Sequence, residues 1–219
     1  MATQKDRQYR FSLPRLYMVS NSPGHRYPAS DLPGLVREIT SRIPAVIQLR
    51  EKHLAAKSIY DLALAVKGSI ADSRSLLIIN ERFDITLSAG ADGTHFPGNS
   101  CPLEKARNVT GSLVMGKSVH SLQDALTAES EGADYLVAGP VYETPLKRQY
   151  GPPLGPELLE TICSNVSVPV YAIGGITPKN ARQCLEQGAH GIAALSIFRS
   201  EANLCDTLES FNRVLKQCS

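Results

Sequence analysis

The chain has 219 residues, of which 42% are hydrophobic and 20% charged, and its net charge is +2 at pH 7. This length suffices for one large α/β domain with its own core. The small net charge, without a long Lys/Arg run, argues against a nucleic-acid-binding surface, and no apolar run is long enough to span a membrane.

The cysteines and the N-terminal residues indicate the cellular setting. The five cysteines are scattered, with no Cys-x-x-Cys pair, so the sequence predicts neither a disulfide framework nor a zinc site. Residues 1–14 are polar and charged and lack the apolar stretch of a secretory signal. We therefore expect a reduced, cytoplasmic protein with a loose tail over residues 1–14 and a single domain over residues 15–219.

Apolar, β-branched runs recur at fairly even intervals and predict eight strands. In chain order they cover residues 16–19, 45–49, 75–79, 93–96, 113–119, 135–138, 168–173 and 191–195. Continuous apolar strands of this kind are typical of a parallel sheet that is covered on both faces.

Amphipathic stretches lie between these runs, and a short glycine motif recurs where they meet the next strand. It reads Gly-Ala-Asp at residues 90–92 and 132–134 and Gly-Ala-His at residues 188–190. The glycine suits the end of a helix, and three copies indicate a repeated β/α unit. Eight units in about 200 residues predict an α/β fold, a minimal (β/α)8 TIM barrel. A doubly wound sheet is the alternative, although no Gly-x-Gly-x-x-Gly follows the first strand.

The last two strands are each followed by residues suited to holding a phosphate. Gly174 and Gly175 come directly after the seventh strand, and Leu195 and Ser196 end the eighth. In this barrel fold, the loops after strands seven and eight commonly bind phosphate through backbone N–H groups. Glycines let the backbone approach the anion, and the next helix N-terminus adds a favourable dipole. A simple tight turn is the alternative interpretation of the glycine pair.

Polar residues after the second and third strands form another candidate site, because active sites of these barrels lie at the C-terminal ends of strands. Gln48, Arg50 and Lys52 share one face of an extended segment, which suits a phosphate, a pyrophosphate or a carboxylate. Asn80 and Glu81 could supply oxygen ligands to Mg²⁺. Glu81 could equally open the next helix, where a negative charge is favourable.

His120, after the fifth strand, is the best acid–base candidate, since imidazole titrates close to neutral pH. A cap on the helix that follows is its alternative role. His95 ends the fourth strand, and we expect it to be structural. Residues 143–155 form a long, basic loop rich in Gly and Pro, which is either a lid over an anion or an ordinary solvated loop.

Together these motifs resemble those of the thiamin-phosphate synthase superfamily over nearly the whole chain, from Leu16 to Lys216. The matching segments are residues 48–52, 79–84, 90–95, 118–121, 132–135, 139–142, 173–176 and 188–193. In this order and combination they are a specific signal. The resemblance implies a barrel enzyme of thiamin biosynthesis that binds a small phosphorylated thiazole.

One branch of the superfamily consists of synthases, which join a pyrimidine pyrophosphate to a thiazole phosphate with Mg²⁺ and release pyrophosphate. For this branch the resemblance assigns two groups of binding residues. The pyrophosphate is assigned to Gln48, Arg50, Lys52, Asn80 and Lys147, and the thiazole phosphate to Gly174, Gly175, Leu195 and Ser196.

The chain departs from the synthase pattern in three places. Glu81 stands where the pattern has a metal-binding aspartate, and residues 96–100 (Phe-Pro-Gly-Asn-Ser) replace a Gly-Gln-x-Asp stretch. The lid residues 144–147 read Thr-Pro-Leu-Lys instead of Thr-x-Thr-Lys. Loss of one carboxylate weakens a Mg²⁺ site, although substrate phosphates supply other ligands.

The other branch, the thiazole tautomerases, resembles the chain more closely in its Pro-containing stretch after strand four and its Glu-Thr-x-x-Lys lid. A tautomerase moves a proton on a carboxythiazole phosphate and needs no metal. We therefore favour this branch, with His120, Arg50 and Glu143 as catalytic residues. Ser118 and Thr144 are further substrate-binding candidates, whereas Lys52 is a synthase-like feature.

Two alternatives remain open beside the tautomerase. The chain could be a synthase that uses Glu81 to bind Mg²⁺, or a non-catalytic regulator that binds phosphorylated ligands. The expected partner is a small phosphorylated thiazole. We expect neither nucleic acid nor membrane as a partner, and a homo-oligomer is left open.

Overall fold

Eight parallel strands close into a barrel in which each strand pairs with the next and the eighth pairs with the first. The fold comes from a computed structural model that describes residues 13–21, 28–144, 152–195, 198 and 204–218. Within these residues, eight α-helices surround the strands. The predicted (β/α)8 barrel is therefore confirmed, and the doubly wound alternative is wrong.

The strand bounds follow the predicted runs closely. The strands are β1 (Leu16–Val19), β2 (Ala45–Leu49), β3 (Leu76–Asn80), β4 (Gly93–Phe96), β5 (Val114–Val119), β6 (Tyr135–Ala138), β7 (Val170–Ile173) and β8 (Gly191–Ala194). β7 begins two residues later than predicted because Pro169 has no N–H to donate to a neighbouring strand. β3, β5 and β8 differ from the prediction by one residue.

The helices occupy the predicted intervals. They are α1 (Leu32–Arg42), α2 (Ala56–Ile70), α3 (Phe83–Ala89), α4 (Leu103–Thr110), α5 (Leu122–Ser130), α6 (Gly155–Asn165), α7 (Pro178–Glu186) and α8 (Leu204–Gln217), and a short 3-10 turn (Ala29–Asp31) precedes α1. In the repeated motif, Gly90, Gly132 and Gly188 have φ angles of 61°, 90° and 88°. These left-handed angles confirm the glycine as the helix-ending residue of each repeat.

Side chains alternate along each strand, so the barrel has two layers of core. Residues on the outer face of the strands, such as Met18 and Ile47, pack against the helices. The inner face holds Tyr17, Tyr135 and Tyr171, whose rings are fully buried and contact one another at centroid distances of 5.0–5.8 Å. Aromatic rings fill the inside of the barrel, but their hydroxyl groups need hydrogen-bond partners there.

The end of the predicted tail contacts the bottom of the barrel. Tyr171 donates its hydroxyl to the carbonyl of Pro14 at 2.6 Å, and His190 Nε2 donates to the carbonyl of Leu13 at 3.0 Å. Burial lowers the pKa of His190, which favours the neutral ring. Residues 1–12 lie outside the described residues, and the boundary between tail and domain stays a prediction.

Two further features bear on the sequence predictions. All five cysteines lie in the described part of the chain, and none of them is in a disulfide. Among the helices of the described residues, none combines the length and apolar character that crossing a membrane demands.

The inner face of β5 leaves room for a tyrosine of β6. A Cβ on Gly116 would lie 2.0 Å from Cζ of Tyr135, so an alanine there must displace the ring. We predict that Gly116→Ala lowers the free energy of unfolding by about 1–3 kcal/mol, as overpacked cores do, measured by chemical denaturation. Gly34→Ala in α1 is the matched control, because nothing lies within 4 Å of its added Cβ and alanine favours the helix. Equal destabilisation of the two variants would contradict this account.

Candidate active site

Four polar side chains lie on the inward-facing register at the upper mouth of the barrel, where the strands end. Hydrogen bonds join them in two pairs, one across β2 and β3 and the other across β4 and β5. The four are Gln48, Asn80, His95 and Ser118. The fold therefore brings together three residues predicted for the site and adds His95.

Polar contacts run without a break along the ends of β2 and β3. Gln48 Nε2 donates to Asn80 Oδ1 at 2.7 Å, and Asn80 Nδ2 donates to Glu81 Oε2 at 3.0 Å. The same carboxylate oxygen lies 3.7 Å from the ammonium of Lys52. Because Gln48 is buried while Lys52 and Glu81 are exposed, the contacts lead from the barrel interior to solvent.

Glu81 has an unusual backbone conformation. Its φ is 60°, in the left-handed region, which costs a non-glycine residue on the order of 1–2 kcal/mol. Hydrogen bonds on both sides hold it: Glu81 N–H donates to the His95 carbonyl at 2.9 Å, and Arg82 N–H donates to the Asn80 carbonyl at 2.7 Å. Since α3 begins only at Phe83, Glu81 precedes the helix, and the alternative that it opens this helix is wrong.

His95 lies between two hydroxyl groups inside the barrel. Its Nε2 is 2.8 Å from Ser118 Oγ, and its Nδ1 is 3.3 Å from the hydroxyl of Tyr135. Burial, followed by the nearby charges of Arg50 and Lys117, lowers the pKa of His95 from 6.5 to about 3, so the ring is neutral. From the sequence we expected His95 to have only a structural role. The signal that could have identified it is its register, because His95 pairs with Asn80 across β3 and β4.

Arg50 supplies positive charge to the mouth. Its backbone N–H donates to Ser20 Oγ at 2.9 Å, which fixes the end of β2 against the end of β1. Its charge contributes to the lowered pKa of His95, so it acts on the inside of the barrel mouth. Among the described residues, no carboxylate forms a salt bridge with Arg50. This guanidinium is therefore suited to an anionic ligand.

His120 follows β5 at the exposed rim. Its Nδ1 donates to the carbonyl of Gly139, which leaves Nε2 as the acceptor. Ser121, whose side chain accepts from the Asp124 N–H, caps α5. The alternative role of His120 as that cap is therefore wrong, and its role as an acid or base stays a prediction.

Gly174 and Gly175 form a turn in which neither position has room for a side chain. Their φ angles are 99° and 66°, and an added Cβ would lie 2.6 Å from Pro140 Cβ or 2.7 Å from Tyr142 Cβ. Within the described residues, neither backbone N–H donates to an acceptor. The N-terminus of α7 is closed by its own capping box. The two glycine amides, more than the helix end, are thus the groups available to an anion.

The predicted lid is described only at its two ends. Glu143 is exposed and Thr144 half-buried, and the Glu143 carbonyl lies beside the Gly174-Gly175 turn. At the other end, the N–H groups of Leu154 and Gly155 donate to the Pro140 and Val141 carbonyls at 2.8 and 3.1 Å. Residues 145–151, including Lys147, lie outside the described residues, so closure of the lid stays a prediction.

Two further predicted residues, Leu195 and Ser196, come after β8 in the sequence. Leu195 is half-buried and packs against the inner cluster of the barrel. Ser196 lies outside the described residues, and its assignment to a phosphate stays a prediction.

An ammonium group occupies the loop after β4. Lys117 Nζ donates to Ser100 Oγ at 3.0 Å and to the Cys101 carbonyl at 3.4 Å, and the residue is buried. In the part of the chain that the structure describes, no three His, Cys, Asp or Glu side chains lie close enough together to hold a metal ion. Glu81 therefore stands without a second carboxylate of that kind.

Comparison with known proteins identifies the family. The family model described as thiamine monophosphate synthase matches residues 16–198. The putative thiamine-phosphate synthase 2 of Aquifex aeolicus is 38% identical over 186 residues, which cover 85% of this chain and 98% of that protein. The thiamine-phosphate synthase of Desulfitobacterium hafniense is 40% identical over 161 residues, which cover 73% and 78% of the two chains.

A solved structure agrees with these sequence relatives. It is the thiamine phosphate pyrophosphorylase from Pyrococcus furiosus, with a TM-score of 0.83 at 30% identity, and the match covers 93% of this chain and 96% of that one. The chain belongs to the thiamine monophosphate synthase family, which confirms the resemblance at the level of the superfamily. The departures from the synthase pattern favoured the tautomerase branch. The names of these relatives favour the synthase alternative instead.

The buried neutral His95 makes stability depend on pH. Its pKa is about 3 in the folded protein and 6.5 when exposed, so below pH 6.5 the unfolded chain binds more protons and stability falls. Between pH 7 and pH 5 we predict a loss of about 2 kcal/mol through this residue, measured by urea denaturation. His95→Gln removes the part of this pH dependence of the free energy of unfolding that is due to His95 and leaves the part due to His190. An unchanged slope in the variant would contradict the burial argument.

The strained backbone at Glu81 can be tested separately from its side chain. We predict that Glu81→Gly is more stable than Glu81→Ala by about 1 kcal/mol, because only glycine relieves the left-handed strain while both lose the carboxylate. Both variants lose activity if the carboxylate functions in the site. Thermal and chemical denaturation measure the first difference, and equal stability of the two variants would argue against strain.

Proposed function

We propose that this chain is a thiamin-phosphate synthase, which joins a pyrimidine pyrophosphate to a thiazole phosphate and releases pyrophosphate. The observation that carries the proposal is that two groups of residues suited to anions lie at opposite sides of one barrel mouth. One surface is cationic and lies at the ends of β2 and β3, and the other consists of backbone amides after β7. Two phosphorylated substrates need two such surfaces.

The cationic surface suits a highly charged group. Arg50 and Lys52 follow the same strand, and a guanidinium can hold two oxygens of one phosphate while an ammonium acts as a point charge. A single carboxylate needs only one of these cations, whereas a pyrophosphate uses both. Lys147, which the family resemblance assigns to the same group, would add a third positive charge from the lid.

The amide surface suits the phosphate of the thiazole substrate. The N–H groups of Gly174 and Gly175 have no acceptor among the described residues, and the lack of side chains lets an anion approach the backbone. The resemblance adds Leu195 and Ser196, which follow β8 in the sequence. Thr144, which follows Glu143, whose carbonyl lies beside this turn, is a further candidate for contact with the substrate.

A magnesium ion fits this mouth only in part. Glu81 presents a carboxylate, held by Asn80 and 3.7 Å from Lys52, and Mg²⁺ binds with one or two carboxylates when substrate phosphates complete its shell. When bound with pyrophosphate, the ion would neutralise phosphate charge. Lys117, which donates to Ser100, already places a positive charge on the side where the family pattern has a second aspartate.

The residues of the chain then position the substrates and stabilise charge electrostatically. In the reaction the C–O bond to pyrophosphate breaks, and the thiazole nitrogen supplies the electron pair of the new C–N bond. Arg50 and Lys52 stabilise the charge that develops on the leaving pyrophosphate. Gln48 and Ser118 lie on the inward-facing register of the same mouth, where the rings must be held for attack. This reaction needs no proton transfer by His120, whose Nε2 can accept a hydrogen bond at the rim.

One observation favours the tautomerase as a second candidate. Lys117 donates to Ser100 where the synthase pattern has a carboxylate, which removes one metal ligand and adds a cation. A metal-free proton shift on a carboxythiazole phosphate would use His120 and Glu143 as the acid and base and Arg50 for the carboxylate. Its phosphate would occupy the same amide surface.

A product assay tests the proposal. We expect the purified protein, given pyrimidine pyrophosphate, thiazole phosphate and Mg²⁺, to form thiamin phosphate and pyrophosphate in equal amounts. Arg50→Ala should lower kcat/KM by about 10²–10³-fold, because a charge on the leaving group loses its partner. Arg182→Ala, which breaks an exposed pair with Glu186 on α7, is the matched control and should keep full activity.

The assay also separates the two candidate functions. Aromatisation of a carboxythiazole phosphate without metal, with no thiamin phosphate formed while an active synthase serves as positive control, would overturn the synthase proposal. Turnover of neither substrate would leave the non-catalytic regulator.

A further inference from the structure

Hydrogen bonds connect the exposed carboxylate of Glu81 to the hydroxyl of Ser118 through the interior of the barrel. The chain crosses β3, β2, β1, β6, β4 and β5 in turn. Its members are Glu81, Asn80, Gln48, Tyr17, Tyr135, His95 and Ser118. The chemistry of these groups decides which of them donates and which accepts in each hydrogen bond.

The first half of the chain has one possible direction. A carboxylate only accepts, so Asn80 turns its NH₂ to Glu81 and its oxygen to Gln48. Gln48 must then donate its NH₂ to Asn80, which leaves its own oxygen facing Tyr17. Tyr17 therefore donates its single hydroxyl proton to Gln48 Oε1, at 3.1 Å.

The second half follows from the first. Tyr17 has used its proton, so Tyr135, 3.0 Å away, must donate to it, and both phenols keep their protons because burial raises the pKa of each. Tyr135 in turn can only accept from His95 Nδ1. The ring of His95 is 2% exposed, and its two nitrogens contact the hydroxyl groups of Tyr135 and Ser118 rather than a carboxylate that would stabilise a charged ring. The ring is therefore neutral, and Nε2 carries a lone pair that accepts the proton of Ser118.

We infer that Tyr17, Tyr135 and His95 are positioning residues that fix Ser118 as a hydrogen-bond acceptor toward the barrel mouth. The proton of Ser118 points at His95, and only the oxygen lone pairs face the substrate space. The site then selects a ring that carries an N–H donor next to Ser118 and rejects one that carries a carbonyl there, since two acceptors repel. The link to substrate choice rests on the proposed function, but the proton order does not.

The tautomer of His95 is the direct test, and it needs no substrate. We expect ¹⁵N NMR of protein labelled at its five histidines to show His95 with a protonated Nδ1 and a bare Nε2, the resonance being assigned by its loss in His95→Gln. Tyr135→Phe removes the acceptor for Nδ1–H, so Nε2 is free to carry the proton and donate to Ser118. We expect the tautomer to change in this variant.

Tyr171→Phe is the matched control. Its ring lies 5.7 Å from that of Tyr135 in the same interior cluster, but its hydroxyl donates to the Pro14 carbonyl, away from the chain. We expect it to lose stability like any buried phenol variant and to leave the tautomer unchanged. A purely structural role for Tyr135 would make the two variants alike in both measurements.

Turnover gives the second readout. We expect the wild type to prefer a pyrimidine pyrophosphate with a ring amine over its oxo analogue by roughly tenfold or more in kcat/KM, as one satisfied or unsatisfied hydrogen bond implies. Tyr135→Phe should reduce that preference, and Tyr171→Phe should keep it. A protonated Nε2 in the wild type, or an unchanged tautomer in Tyr135→Phe, would overturn the inference even in an active synthase. The predicted tautomer in a protein without synthase activity would uphold the proton order and reject only the proposed function.

Discussion

Polar groups sealed inside a closed barrel must pair with one another, and the rest of the site depends on this constraint. Tyr17, Tyr135 and His95 fill the interior of this barrel with large rings, and each is at most 2% exposed. An unpaired hydroxyl or imidazole there costs on the order of 1–3 kcal/mol. Their partners are one another and the strand-end residues Gln48 and Ser118. The rings that fill the core therefore also orient the side chains at the mouth.

Charge and strain concentrate at the same end of the barrel. Burial lowers the pKa of His95 most, and the charges of Arg50 and Lys117 lower it further. The two cations add positive potential near the mouth, which favours an anion there. Glu81 adds a carboxylate at this end of the barrel, and its backbone lies in the left-handed region. Strain of this kind persists where the surrounding hydrogen bonds over-determine it, and here those bonds tie Glu81 to Asn80 and His95.

The fold was largely predictable because a parallel barrel repeats a simple local pattern. Apolar runs identified the strands, the glycines that end helices marked the repeats, and Gly174-Gly175 marked a turn with two backbone amides available to an anion. The sequence could not predict the pairing of distant hydroxyl groups inside the barrel. Tyr17 and Tyr135 are far apart in the chain and resemble ordinary core residues, and His95 looked structural for the same reason. Local sequence patterns also could not decide which reaction the protein catalyses. Single replacements such as Glu81 and Ser100 favoured a tautomerase, whereas similarity over the whole chain favours the synthases.

The proposed reaction requires that two anions occupy the mouth together, one at Arg50 and Lys52 and the other at the glycine amides. Isothermal titration calorimetry tests it most directly. Thiazole phosphate would be titrated into the protein alone and into protein saturated with pyrophosphate and Mg²⁺. We predict one thiazole phosphate per chain in both experiments, with an affinity that pyrophosphate leaves unchanged or increases. Displacement of one anion by the other would mean a single anion site, and it would contradict the account.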